Sequence, residues 1–308
     1  MAEWLYEDGV GEARAALVAD GRILAARVEL PDTLRVGTVA AARLTERTVA
    51  TLADGREVML DRAPAGVTLG AALTVEVVRE AIPEPGRAKR ARARATDLPP
   101  APGPDLLARI AATPHPIRHL RAHEADALEE AGWSEVLDEA VRGEIAFPGG
   151  VLRMTPTPAM TLFDVDGDTA ADALALAAAT ATARAIRRHG IGGSIGIDFP
   201  TVTGKAARQA VAAAIDAALP PPFERTAVNG FGFLQIVRPR PRGSLPERLR
   251  DDAVGAAARA ALRLIERTPV SASNRHRLPA AVRARIEAHP EWLAALVQRT
   301  GRAPIFDA

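Results

Sequence analysis

The stretch that decides the fold runs from Met160 to Thr201 and contains MTLFDVDGD (160–168), an alanine-rich segment and GIGGSIGIDFPT (190–201). The two apolar segments are typical of buried strands, and the alanine-rich segment between them is typical of a crossover helix. A strand, a helix and a strand in this order predict a parallel pair. Asp164 and Asp198 would then project from neighbouring strands toward the same end of the sheet. Carboxylates in strands this apolar are costly unless a cation meets them.

A divalent metal ion is the cation that these residues favour. Mg²⁺ prefers oxygen ligands and typically uses one or two protein carboxylates. Asp164 and Asp198 therefore predict a magnesium site, with Asp166, on the same strand face as Asp164, as an outer or third ligand. Such a metal would orient a scissile phosphate and lower the pKa of a bound water. Alternatively, Asp166 and Asp168 are turn or cap residues, with Asp168 or Thr169 capping the next helix, and Asp198 is a strand-end residue bonded to backbone amides.

Composition narrows the class of protein. The chain has 308 residues, 48% of them hydrophobic, and no cysteine, which excludes disulfides, thiolate zinc sites and a cysteine nucleophile. The histidines form no zinc pattern on one rigid element, so His115, His119, His123 and His189 are expected at the surface. The acidic N-terminus and the lack of a long apolar segment argue against a signal peptide and a membrane span, so we expect a soluble, cytoplasmic protein.

Short strands and helices follow one another along the chain. Two apolar runs around Asp20-Gly21 predict a β-hairpin over residues 3–30, and glycine-turned strands between 35 and 82 predict a small barrel or meander. A proline-rich linker comes before the predicted helices. These helices cover residues 104–142 (with a second helix from about 122), a segment that starts after Asp168 or Thr169 and runs to about 189, and residues 204–219 and 246–267.

Several cations and one aromatic residue are candidates for nucleic-acid contacts. Lys205 and Arg208 open the helix after Asp198, where they could bind phosphate or form a solvated helix face. Arg238 and Arg240 would share one strand face and follow a nucleic-acid backbone, or they could be edge-strand charges that block aggregation. Phe231, flanked by glycines, is either a base-stacking ring or a core residue, with the core favoured.

A basic run covers residues 87–94 and includes Arg87, Lys89 and Arg90. It could hold single-stranded phosphate, or it could be a disordered basic linker. The residues alone do not decide between the two.

The sequence resembles the ribonuclease E/G family. LFDVDG followed by GGSIGIDFPT resembles the two metal-ligand strands of that family, and AVNGFGFLQIVRPRPRGSL resembles the strand that follows. EARAALVADGRILAARVE resembles the start of its RNase H-like domain, and VRARIEAHPEWLAALVQRTGRAPI resembles its C-terminal small domain.

The resemblance implies a multidomain fold of the α+β and α/β classes. It places an RNase H-like part at 1–34, continued at about 104–145, an OB-like RNA-binding barrel at 35–97, and a linker at 98–104. It further places a DNase I-like α/β catalytic domain at 146–245 and a small C-terminal helical region at 246–308. Asp164 and Asp198 match the magnesium ligands of the family, and Asp166 falls where the best-known members have Asn.

The departures from the family pattern predict a reduced relative. The segment that recognises a 5′-monophosphate is not visible, the paired zinc-binding cysteines cannot exist, and Gly230 stands where the larger enzymes have Arg. We therefore expect no zinc and a monomer or small homo-oligomer.

The function expected from the sequence is Mg²⁺-dependent endonucleolytic cleavage of single-stranded RNA. The resemblance implies products with 5′-phosphate and 3′-hydroxyl ends. One alternative is a non-catalytic RNA-binding protein on the same scaffold, favoured by Gly230, Asp166 and the missing modules. Another is a DNA-directed phosphoesterase with the same metal chemistry.

Overall fold

The computed structural model describes residues 1–84 and 88–307, which divide into two compact units. One unit, called the terminal unit, comprises residues 1–33, 106–134 and the described residues from 249 onward. The other, called the central unit, comprises residues 34–105 and 135–248. The mixed α and β architecture expected from the sequence is confirmed. Within the described residues, no helix is both long and apolar enough to cross a membrane.

The terminal unit contains a four-stranded sheet of order β3-β2-β1-β9. Its strands are β1 (Glu3–Gly9), β2 (Glu12–Ala19), β3 (Arg22–Glu29) and β9 (Ile117–His119). Asp20 and Gly21 both have positive φ, 51° and 70°, as a tight turn that follows the strand twist requires. β2 and β3 pair antiparallel around this turn, so the hairpin is confirmed, while Glu3–Gly9 form a further strand that the sequence did not predict. β1 pairs antiparallel with β2 and parallel with β9.

Short helices complete the terminal unit. They are α1 (Leu106–Ala111), α2 (Ala127–Glu130), α7 (Ala253–Glu266), α8 (Ala280–Glu287) and α9 (Pro290–Thr300), beside the strands β16 (Arg275–Arg277) and β17 (Ile305–Asp307). The prediction that helices fill residues 104–142 was wrong. Pro114 and Pro116 disfavour a helix, and the strand β9 follows them. Gly132, with φ of 91°, separates α2 from the next helix, α3 (Trp133–Arg142).

A buried ion network joins β1 and β2 to α7 in the terminal unit. Arg14 contacts both Glu7 and Glu12, Arg259 binds Glu12 at 2.8 Å, and Arg263 binds Glu7 at 2.8 Å. The side chains of these residues are at most 9% exposed. Removing one partner of such a network leaves a buried charge uncompensated and costs about 3–5 kcal/mol.

Asp126 adds a carboxylate at the edge of this network. Burial raises the pKa of Asp126, but hydrogen bonds from Arg263 (2.5 Å) and from the backbone N–H of Glu129 (3.1 Å) outweigh it. The pKa of Asp126 therefore lies below its ordinary value.

The first part of the central unit is a closed barrel of order β4-β5-β6-β8-β7. Its strands are β4 (Val39–Glu46), β5 (Val49–Leu52), β6 (Glu57–Leu60), β7 (Ala72–Arg79) and β8 (Ala91–Ala95). β6 and β8 run parallel, whereas the other neighbours are antiparallel. Ala91 and Ala93 are buried, so the Ala-Arg alternation of the basic run follows the period of a strand. The alternative prediction of a disordered linker was thus wrong for residues 91–95, which form the strand β8.

The second part is a six-stranded sheet of order β10-β11-β12-β13-β15-β14. Its strands are β10 (Glu144–Phe147), β11 (Gly150–Pro156), β12 (Thr161–Gly167), β13 (Gly193–Asp198), β14 (Glu224–Arg225) and β15 (Phe233–Arg238). β12 and β13 run parallel, and the other pairs are antiparallel. The helices α4 (Ala171–His189) and α5 (Lys205–Ala218) pack on one face around a core that includes Phe163, Ile197 and Ile236. The opposite face is called the outer face.

The C-terminal end of α4 was predicted correctly from the sequence, whereas its N-terminal cap was not. Gly190 adopts the left-handed conformation after its last turn, as predicted for a C-terminal glycine. The cap expected from Asp168 or Thr169 was wrong, since Ala170 is the N-cap residue and the helix start has no side-chain capping hydrogen bond. His189 was expected at the surface but is 1% exposed, with its Nε2 3.1 Å from Glu139.

The helix predicted over 246–267 is interrupted. It consists of α6 (Leu245–Asp251) and α7, separated at Asp252. The side chain of Asp252 accepts a 3.0 Å hydrogen bond from the backbone of Gly255, which is the N-cap arrangement that starts a new helix.

Candidate active site

Two carboxylates face each other across the parallel pair of the sheet. Asp164 of β12 and Asp198 of β13 are register partners. Phe163, Val165 and Ile197 beside them are buried under the helices, whereas both aspartates are exposed. Because side chains alternate along a strand, both carboxylates belong to the outer face. The expected parallel pairing is thus confirmed, and both carboxylates are accessible to solvent.

The donor set suits a hard cation. Mg²⁺ commonly takes one or two carboxylates and completes its shell with water. Asp164 and Asp198 supply two carboxylates at an exposed position. The residues present therefore fit the metal that the sequence predicts.

Asp166 has a different partner. Its Oδ2 lies 2.9 Å from Nε of Arg153, on the neighbouring strand β11. In the part of the chain that the structure describes, no three or more His, Cys, Asp or Glu residues form a group that could hold a metal ion. The structure thus gathers two carboxylates at this position, and a third-ligand role for Asp166 stays a prediction.

Arg153 is the residue that sequence reasoning missed at this site. It stands directly opposite Asp164 in the antiparallel pair of β11 and β12. Its position between Leu152 and Met154, which are both buried, assigns it to the outer face. Only the strand register could have placed it beside the carboxylates.

A hydrogen-bonded loop presents Phe231 two residues before Phe233, the register partner of Asp198. The side-chain oxygen of Asn229 accepts hydrogen bonds from the backbone N–H groups of Phe231 (2.9 Å) and Phe233 (3.0 Å). Phe233 is the register partner of Asp198, and the N–H of Phe199 donates to the carbonyl of Gly232. Phe231 is 85% exposed, so the favoured assignment to the core was wrong.

The outer face beneath the carboxylates is apolar. A Cβ added to Gly196 would lie 2.7 Å from Phe233, 2.8 Å from Leu162 and 3.0 Å from Met160. These side chains therefore cover Gly196, where only glycine leaves room. Asp164 lies two residues after Leu162 on β12, and Asp198 lies two residues after Gly196 on β13.

Lys205 and Arg208 begin α5, the helix that follows Asp198. Lys205 is exposed and Arg208 is partly exposed. Neither has an ion-pair partner among the described residues. The loop before them is tied to α4 by a 3.3 Å hydrogen bond from the backbone of Thr203 to Asp172. Both cations are therefore available to an anionic ligand at this edge of the sheet.

Arg238 and Arg240 lie away from the carboxylates. Arg238 pairs with Gly193, at the opposite end of β13 from Asp198, and burial lowers the pKa of its guanidinium. Arg240 lies beyond the end of β15, so the two do not share a strand face as expected. Its guanidinium forms an ion pair with Glu247.

The basic run is largely neutralised by neighbouring acids. Lys89 pairs with Glu84, and Arg90 lies 3.0 Å from Glu57. Arg87 lies outside the described residues. The RNA-contact role predicted for these cations remains a prediction.

A comparison with known protein families finds a match over the region that contains this site. Residues 105–241 match the model of the ribonuclease E/G family, a segment that includes both carboxylates, Phe231 and the start of α5. The resemblance inferred from the sequence is thereby confirmed for this segment. No curated protein matches the chain significantly.

Proposed function

We propose that the chain is an endoribonuclease, because residues 105–241 match the model of the ribonuclease E/G family. It cleaves single-stranded RNA with Mg²⁺ as cofactor and leaves 5′-phosphate and 3′-hydroxyl ends. The observation that carries the proposal is the pairing of Asp164 with Asp198 on adjacent parallel strands, both exposed. Because both carboxylates are held by the sheet, they are preorganised before RNA arrives.

The proposed mechanism assigns each residue one task. Asp164 and Asp198 hold the metal, and Asp166 stands outside its ligand shell, paired with Arg153. When bound, Mg²⁺ would stabilise developing charge on the phosphate and lower the pKa of a water molecule. Lys205 pairs a non-bridging phosphate oxygen, and Phe231 stacks on a base next to the cleaved bond.

The neighbouring domains support an RNA substrate. We infer that the barrel is of the OB type, because its five strands close in the order β4-β5-β6-β8-β7 with one parallel pair. Barrels of that type bind oligonucleotides. We also infer an RNase H-like sheet in the terminal unit from its order β3-β2-β1-β9, in which β9 runs parallel to β1, and a DNase I-like fold for the catalytic sheet.

Conservative substitutions of the carboxylates test the proposal. Asp164→Asn and Asp198→Asn keep the size of an exposed side chain, so each variant should unfold at the temperature of the unmodified protein. Each should lose most metal-dependent cleavage of single-stranded RNA, followed as discrete products formed with Mg²⁺ and not with EDTA. Asp138→Asn is the matched control, because Asp138 is an exposed aspartate paired with Arg142 on α3. Full activity of either site variant would refute the assignment.

The same assay separates the alternative functions. A non-catalytic RNA-binding protein is favoured by the engagement of Asp166 with Arg153, and it would bind RNA without forming products. A DNA-directed phosphoesterase would be inhibited more strongly by single-stranded DNA than by RNA of the same sequence. Binding without cleavage, or preference for DNA, would replace the proposal.

A further inference from the structure

Arg153 begins a row of charged side chains that crosses the outer face of the sheet. It is the register partner of Asp164, and Asp164 is the register partner of Asp198. The side chain of Arg153 is 59% exposed and that of Asp166 is 48% exposed, with 2.9 Å between Nε and Oδ2. The guanidinium therefore lies within the same row as the carboxylates, and it is directed to Asp166.

This ion pair determines the charge that a metal would meet. Asp164 and Asp198 contribute two negative charges, while Arg153 and Asp166 cancel each other. Without the guanidinium, three carboxylates would share the outer face of two adjacent strands. Without Asp166, the guanidinium would stand uncompensated opposite Asp164.

We propose that Arg153 is a positioning residue that holds Asp166 away from the Asp164–Asp198 pair and sets the charge of the metal site. The inference rests on the proposed function, because it concerns the same divalent cation. The pair is half exposed, so it contributes little to folding stability. Its consequence is electrostatic, because a change of one unit charge next to a divalent cation alters the affinity for that cation twice as strongly as for a monovalent one.

The test is direct metal binding by the RNA-free full chain, measured with Mn²⁺ by electron paramagnetic resonance. Arg153→Gln leaves Asp166 uncompensated and should tighten Mn²⁺ binding by about tenfold at low salt. Asp166→Asn leaves Arg153 uncompensated and should weaken it by about tenfold. The double variant restores the original charge, so its dissociation constant should return to within about threefold of the unmodified value.

Charge balance predicts a dependence on ionic strength as well. The effects of both single variants should shrink as the salt concentration rises, because exposed charges are screened. Arg142→Gln is the matched control, since Arg142 forms an exposed 2.8 Å ion pair with Asp138 on α3. This variant should leave Mn²⁺ affinity unchanged, and thermal unfolding verifies that every variant is folded.

The possible outcomes are distinct. Unchanged affinity in the single variants, or no Mn²⁺ binding by the unmodified chain, would overturn the inference. If Asp166 were itself a ligand, Asp166→Asn would weaken Mn²⁺ binding by far more than Arg153→Gln tightens it, and the double variant would not return to the unmodified affinity. Cleavage of RNA by the unmodified protein is measured in parallel: its absence together with the expected binding pattern would reject the proposed function and leave the role of Arg153 intact.

Discussion

Removal of the Phe231 ring should separate RNA binding from folding. The ring is 85% exposed, and the hydrogen bonds that shape its loop come from the backbone and from Asn229 rather than from the ring. Phe231→Ala therefore deletes few contacts of the folded state. The free energy of unfolding should change by no more than about 0.5 kcal/mol, the usual range for surface substitutions.

The expected loss lies in the affinity for RNA. Stacking of a base on an aromatic ring contributes about 1–3 kcal/mol, which corresponds to an increase in the dissociation constant of about 5- to 150-fold. The assay is fluorescence anisotropy with a labelled single-stranded RNA in EDTA, so that no cleavage occurs. Phe231→Trp keeps a stacking surface and should retain most of the affinity.

Two control substitutions define the limits of this prediction. Leu264→Ala truncates another large exposed side chain, 66% exposed on α7, and should change neither stability nor RNA affinity. Phe163→Ala removes a ring that is 0% exposed and should cost about 3–5 kcal/mol of stability. An affinity change below about twofold for Phe231→Ala, or a stability loss near that of a core substitution, would refute the assignment of Phe231 to a base.

Further predictions concern charge, backbone and substrate. Lys205→Ala should weaken RNA binding similarly for different sequences and reduce the slope of log affinity against log salt by about 1; an unchanged slope would count against a phosphate contact. Gly232→Ala should destabilise the protein strongly, because its φ is 94° and a Cβ there would overlap the carbonyl oxygen of Phe199. Gly204→Ala, with φ of 84° and ψ of 155° but open space, should cost about 1–3 kcal/mol in urea unfolding from backbone strain alone, less than Gly232→Ala. The pKa of Asp126 is lower in the folded chain, so its stabilisation is present above its unfolded value of about 4 and is lost as the pH falls through the folded pKa; Asp126→Asn should reduce the acid dependence of unfolding below that pH, and an identical pH profile would contradict this. RNAs that carry 5′-triphosphate, hydroxyl or monophosphate should be cut at similar rates, and a strong preference for monophosphate would reveal a sensor pocket.

The parallel pair at the centre of the site could be predicted from local pattern alone. An apolar strand, an alanine-rich helix and a second apolar strand leave few alternatives to the pairing of Asp164 with Asp198. The Asp20-Gly21 turn and the Gly190 helix end were also predictable, because each requires a backbone conformation that few residues adopt. These features depend on residues that are close in sequence or on a connection of standard handedness.

The features that sequence reasoning missed depend on strand register and on side-chain contacts that local pattern does not specify. Arg153 acquires its significance from a strand register that brings it opposite Asp164. Phenylalanine is usually a core residue, but Phe231 lies in a loop that is hydrogen-bonded to Asn229, and its side chain is exposed to solvent. His189 looked like a surface residue at a helix end and is instead buried against Glu139. Only the His189 contact joins segments far apart in the chain, whereas the other two features arise from the register of neighbouring strands and from hydrogen bonds within one loop.

The same reasoning identifies which cations remain available for RNA. Lys and Arg number 39 against 38 Asp and Glu, so most cations can find a carboxylate within the chain. The densest basic segment is an example, since its cations are paired within the barrel as Arg90–Glu57, Arg92–Asp61 and Arg94–Glu76. Lys205 and Arg208 have no such partner among the described residues, and they begin the helix that follows Asp198. Cation density along the sequence is therefore a poor guide to the RNA-binding surface. Phosphate can bind Lys205 and Arg208 without breaking an ion pair among the described residues.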